Sequence, residues 1–153
     1  MITKKLLKRL NLTQKNDRVF FAINNHSYFS MNDLKLLKKA INKSVKLFRV
    51  CLHKNTSSRI QEMIICHIIP QKIGPLKQEK ESISYHLITG ELTIRIAYNN
   101  KISTYKLDKK NHRGLRIPCN VFREVISTKK NTTFLEISTV QFFDKQTIWL
   151  NSK

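Results

Sequence analysis

The chain has 153 residues, 41% of them apolar, with 29 Lys+Arg against 10 Asp+Glu and a formal net charge of +19. This is enough apolar sequence for one packed core, which excludes a disordered chain, and its longest apolar run, residues 63–70, is strand-sized and broken by Cys66 and His67, which excludes a membrane-spanning helix. Three cysteines, Cys51, Cys66 and Cys119, without a Cys-x-x-Cys pair, exclude a disulfide framework and a structural zinc knuckle.

All three cysteines are expected to be small buried hydrophobes. The positive charge attracts polyanions and acidic surfaces. Lysine, asparagine and isoleucine are abundant together, however, and the basic residues are spread along the chain. No nucleic-acid module is spelled out, so no specific nucleic-acid partner is expected.

In chain order, residues 1–29 form a basic lead containing one short strand, and residues 30–153 form a helix and a β-rich body, all in a single domain. In the lead, Leu6, Leu7 and Leu10 make an apolar edge among Lys4, Lys5, Lys8 and Arg9. Such a piece docks on its own domain or frays, and residues 1–10 offer at most weak membrane-surface association. The same stretch lacks the continuous apolar segment of a secretory signal, so a cytoplasmic location is the default expectation.

Residues 18–23, RVFFAI, read as a strand. Ser30 caps a helix, with Asp33 near its positive end. Leu34, Leu37, Ile41 and Val45 recur at helical spacing, and the helix is expected to end near Lys46. The period then changes to two. Residues 47–53, 60–69, 82–88, 92–98, 102–107, 115–117, 121–127 and 133–140 are short, rich in β-branched side chains and separated by turn signals. Asn99-Asn100 is a hairpin turn. Residues 74–92 read turn, strand, turn, with Leu76, Lys77 and Gln78 in the first turn. Eight short strands after one helix predict an all-β sandwich or barrel with an N-terminal helix.

Five stretches carry a resemblance. They are Arg49-Val-Cys-Leu-His53, Arg59-Ile-Gln-Glu-Met63, Gly74-Pro75 through Ser84-Tyr85-His86-Leu-Ile-Thr-Gly90-Glu, Gly114-Leu-Arg-Ile-Pro118 through Arg123-Glu-Val-Ile-Ser127, and Phe143-Asp-Lys-Gln-Thr-Ile-Trp149. In this order they resemble the cupins, double-stranded β-helix (jelly-roll) barrels, and most closely the WbuC family, found with surface-polysaccharide biosynthesis. The resemblance implies a cupin-type barrel. It also implies a metal held by a His-x-His pair and a Glu from the first motif and a His from the second. Here those positions fall on Leu76, Gln78, Ile83 and Arg123, so all four ligands are replaced. A shifted alignment brings Glu81 to the carboxylate position and restores no histidine.

The donor chemistry agrees. A catalytic divalent site needs about three ligands from His, Cys, Asp or Glu. Leu76 and Ile83 cannot ligate, Gln78 is a weak neutral donor, and Arg123 is a permanent cation. No two of the histidines, His26, His53, His67, His86 and His112, stand at i, i+2 or i, i+4. No metal or other cofactor is therefore expected.

Arg123 either neutralises an interior acid, Glu136 or Glu62, or accepts the carboxylate or phosphate of a ligand. Arg49 and His53, four apart on a strand face, line the barrel mouth or form a dimer contact or solvated edge. Gln61 hydrogen-bonds a sugar hydroxyl or satisfies buried backbone. Tyr85 points inward, His86 outward, and Trp149 packs across the barrel end. Catalytic residues are unassigned, and ligand-binding candidates are Arg49, His53, Gln61, Gln78, Tyr85 and Arg123. The expectation is a metal-free, degenerate cupin binding a small anionic or sugar-like ligand, as a homodimer whose exposed edges pair. The alternatives are a metal-independent sugar isomerase or epimerase and a basic interaction or structural protein with no pocket in use.

Overall fold

Runs of β-branched residues punctuated by Asn, Gly and Ser give twelve strands and two short helices among the described residues. The computed structural model describes residues 2–24, 28–139 and 147–150. The elements are α1 Lys4–Arg9, β1 Leu12–Asn16, β2 Val19–Ala22, α2 Met31–Ala40, β3 Leu47–Cys51, β4 Gln61–His67 and β5 Gln71–Gln78. They continue as β6 Ile83–Thr89, β7 Leu92–Tyr98, β8 Lys101–Leu107, β9 Gly114–Ile117, β10 Phe122–Ser127, β11 Thr132–Ser138 and β12 Thr147–Trp149.

One sheet runs β1-β2-β3-β4-β11-β6-β9 and the other β12-β5-β10-β7-β8. From β4 to β7, and again from β8 to β11, the chain crosses between sheets at each connection. β11 thereby enters between β4 and β6, and β10 between β5 and β7, which is jelly-roll topology. Between the sheets, Met63, Ile65, Tyr85, Leu87 and Phe134 of the larger meet Leu92, Ile94, Leu107 and Val125 of the smaller. Each such side chain contributes about 1.5–3 kcal/mol by leaving water. A second core lies on the outer face of the larger sheet, where Phe20, Phe48, Val50 and Ile64 receive Leu34 and Leu37 of α2 together with Leu10. The basic lead thus docks on its own domain.

Several sequence expectations are corrected. The helix stops at Ala40, not near Lys46: Ile41 is already extended at ψ 144°, and Asn42 closes a turn by accepting from the Ser44 N–H through its side chain at 3.1 Å. Residues 76–78 are strand rather than turn, because β5 passes through the Gly-Pro pair with a bulge. Gly74 sits at φ +100°, and a Cβ there would lie 2.5 Å from the Arg123 carbonyl oxygen. The ladder between β5 and β10 shifts register at this point, between Arg123 and Val125. β1, β5 and β12 were not read as strands. Cys119 is exposed, whereas Cys51 and Cys66 are buried. Asn99 and Asn100 form the expected hairpin turn, both at positive φ. His26, Val140 and residues 143–146 lie outside the described residues.

Candidate functional site

The inward positions of β5, β6, β10 and β11 line a chamber of about 510 Å³ between the sheets. Register places the side chains: Arg123 faces Leu76 across β10–β5, and Glu136 faces Tyr85 across β11–β6. Arg123 is only 5% exposed. Its Nε–H donates to the Tyr85 hydroxyl at 2.9 Å, and Nη2 donates to Gln78 Oε1. Tyr85 in turn hydrogen-bonds the Glu136 carboxyl. The direct Arg123–Glu136 ion pair expected from sequence is absent among the described residues; the phenol oxygen stands between the two. Glu62, the other proposed partner, is exposed, because it lies one step out of phase with Gln61 and Met63 on β4.

Two acids share this chamber. Burial pushes the Glu136 carboxyl above its ordinary range, opposed by the positive charges of Arg123 and Arg49 and by the Tyr85 hydrogen bond. Buried Glu81 rises for the same reason, with Arg123 opposing, Glu136 adding repulsion and Ser138 bonding its carboxyl. Carboxyls that burial holds above their ordinary range compensate the Arg123 charge less fully, and its unused N–H donors suit an incoming anion.

The metal that the resemblance implies does not fit this donor set. Leu76 and Ile83 are buried aliphatic side chains, Gln78 is engaged by Arg123, and the guanidinium is a permanent cation that repels a metal ion. Among the described residues no three His, Cys, Asp or Glu side chains converge.

Arg49, His53 and Gln61 come together in a second pocket of about 350 Å³ with Lys15, Asn16 and Thr56. His53 lies beyond the end of β3, not on it. Its Nδ1 accepts the Glu62 N–H at 3.1 Å. The same Nδ1 lies 3.2 Å from the Glu62 carbonyl oxygen, so it accepts from the Glu62 N–H in one tautomer and donates to the Glu62 carbonyl in the other. Gln61 donates to the Thr56 carbonyl at 2.8 Å. Asn16, Val19, Arg49 and Met63 line both pockets, which makes them neighbours.

Sequence reading missed His67, Ser127, Ser138 and Lys15. His67 is 1% exposed and lines the chamber, with Nδ1 2.8 Å from Ser127 Oγ. The alternation Gln61, Met63, Ile65, His67 carried the signal; nothing local marked Lys15. Tyr85 points inward and His86 outward, as expected. Trp149 does not cap the barrel: it is 56% exposed at the chamber's lip, since β12 joins the edge of the smaller sheet beside β5.

No protein-family model matches the chain, and no curated protein matches its sequence. Solved structures do match. The capsular polysaccharide assembling protein CapF from Staphylococcus aureus aligns with TM-score 0.62 and 14% identity over 72% of this chain and 31% of that one. Oxalate decarboxylase from Bacillus subtilis aligns with TM-score 0.53 and 15% identity over 68% and 27%. KdgF from Halomonas sp. aligns with TM-score 0.51 and 7% identity over 67% and 86%. All three are cupin-fold proteins, and the likeness shows a cupin-type jelly roll. The chain spans about a third of the CapF chain.

Proposed function

We propose that this chain is a degenerate, WbuC-like cupin whose chamber receives a small anionic or sugar-like ligand without a metal, in surface-polysaccharide biosynthesis. One observation carries the reading. Arg123 is buried, opens on the chamber, is held by the neutral partners Tyr85 and Gln78, and forms no direct ion pair among the described residues. A buried cation is costly unless an anion completes it, and a ligand carboxylate or phosphate does so with paired hydrogen bonds. The likeness to CapF, a capsular polysaccharide assembling protein, supports the pathway.

Calorimetric titration with D-glucuronate and D-glucose tests it. The acid is expected to bind and the neutral sugar to bind at least about tenfold more weakly, with Arg123→Lys removing the difference while preserving the fold. Binding should tighten as pH falls toward the raised pKa values of Glu81 and Glu136, because their protonation removes repulsion from the anion. Equal affinity for both sugars, or no effect of Arg123→Lys, would overturn the reading.

A second reading, metal-independent sugar isomerisation, is favoured by Glu136 rather than by His53, which lies in the other pocket. A general base needs a pKa nearer neutrality than an ordinary carboxylate, and Glu136 is shifted that way. Exchange of a sugar C–H into deuterated water by the wild type and not by Glu136→Gln would establish it; no exchange by the wild type removes it.

A further inference from the structure

The pocket beside the chamber has a composition of its own. It gathers Lys15 from β1, Arg49 from β3 and His53 from the turn after β3, and among the described residues no carboxylate lines it. The Arg49 guanidinium has no hydrogen bond or ion pair among the described residues. His53 is 9% exposed. Its Nδ1 is engaged by the Glu62 main chain, which leaves Nε2 without a partner among the described residues. Lys15 Nζ stands 5.9 Å from the Phe21 ring centroid, on the pocket's wall. A lysine, an arginine and a buried, unpartnered imidazole nitrogen, contributed by three separate segments, match a compact oxyanion carrying about two charges. Gln61, tied to Thr56 through its amide nitrogen, still offers its oxygen to a hydroxyl.

Arg49 also borders the chamber, with Val19 and Met63. We propose that this second pocket is a phosphate subsite, and that one phosphorylated sugar occupies both spaces, its phosphate among Lys15, Arg49 and His53 and its ring toward Arg123. This rests on the chamber reading above for the ring, and on the second pocket's own groups for the phosphate. It names the ligand class: a sugar phosphate ester, with a carboxylate or hydroxyl on the ring to meet Arg123.

The test is calorimetry on the full chain at fixed ionic strength with three probes: inorganic phosphate, D-glucuronate and D-glucuronic acid 1-phosphate. The bifunctional probe is expected to bind at least about tenfold tighter than either half. Lys15→Gln, an exposed change that spares the core, and Arg49→Gln should each weaken phosphate and the sugar phosphate by about tenfold, and Lys15→Gln, at a residue outside the chamber lining, should leave glucuronate unchanged. Arg123→Lys should weaken glucuronate and leave inorganic phosphate unchanged. Lys101→Gln, exposed on the other sheet, should alter nothing, which separates the site from the general field of a basic protein. Phosphate binding indifferent to Lys15 and Arg49, or lost only with Arg123, overturns the subsite and leaves the chamber reading standing. Phosphate binding that depends on Lys15 and Arg49 without any glucuronate binding supports the subsite and overturns the chamber reading and the shared ligand. A bifunctional probe no tighter than its halves overturns the shared ligand.

Discussion

Arg123, Tyr85 and Glu136 illustrate how a residue's neighbours set its chemistry. The hydroxyl between cation and acid lets the guanidinium remain charged while the carboxyl rises. In Glu136→Gln the amide can still accept from Tyr85, yet there is no proton to gain. A carboxyl raised in the folded state binds protons more tightly there than in the unfolded chain. Its favourable contribution is therefore present below the ordinary carboxylate range and is lost as pH rises through the folded pKa. Glu136→Gln should accordingly have a higher urea midpoint than the wild type near about pH 7, with the gap closing by about pH 4. A lower midpoint at neutral pH would mean that the carboxylate is ionised and held by Arg123. His67 runs the opposite way. Burial lowers its pKa from 6.5 to about 4, so the unfolded chain takes the proton first, and stability is lost as pH falls across that window, by roughly 3 kcal/mol in all. His67→Gln should show a shallower loss of urea midpoint between about pH 7 and about pH 5 than the wild type; an unchanged slope would refute the assignment. Arg123 was legible because the motif that resembles the second cupin motif suggests an arginine at an interior position. His67 was hidden in an apolar run, because a buried neutral imidazole looks like any other core residue until its register is known.

At the scale of elements, β5 was the hardest to see and matters most to the site. Glycine and proline together normally mark a turn, but here they sit in a bulge that lets the strand continue and brings Gly74 against the Arg123 backbone. Gly74→Ala meets both a positive φ and a backbone oxygen. It should lower stability by at least about 1 kcal/mol and weaken glucuronate binding by displacing Arg123, measured by denaturation and by titration of the folded fraction. Unchanged binding would show that the bulge does not position the arginine. α2 provides the contrast. Its capping box joins Ser30 and Asp33 reciprocally, and Ser30→Ala should cost about 1 kcal/mol without altering ligand affinity, since the helix packs on the outer face of the larger sheet. The cap was legible because a helix end is specified by residues three apart. β12 was not, because three residues, Thr147–Trp149, gain strand geometry only by pairing with β5.

For the molecule as a whole, the charge of +19 acts on every element at once. Self-repulsion destabilises the compact state and salt screens it. The thermal midpoint should rise between about 0.05 and about 0.5 M sodium chloride, and anion affinity should fall over the same range; a midpoint that falls would show that specific ion pairs, such as Lys72–Glu124 at 2.8 Å, outweigh the repulsion. By itself the sequence determined the all-β body, the N-terminal cap, the hairpin at Asn99-Asn100 and the inward Tyr85. These follow from local periodicity, turn chemistry and side-chain type, which act over a few residues. Only the tertiary structure decided that Tyr85 separates Arg123 from Glu136, that Glu81 turns inward, and that Lys15 joins Arg49 and His53. Those groups lie far apart along the chain, and they meet because strand register and sheet crossing, not sequence spacing, fix which side chains share a space.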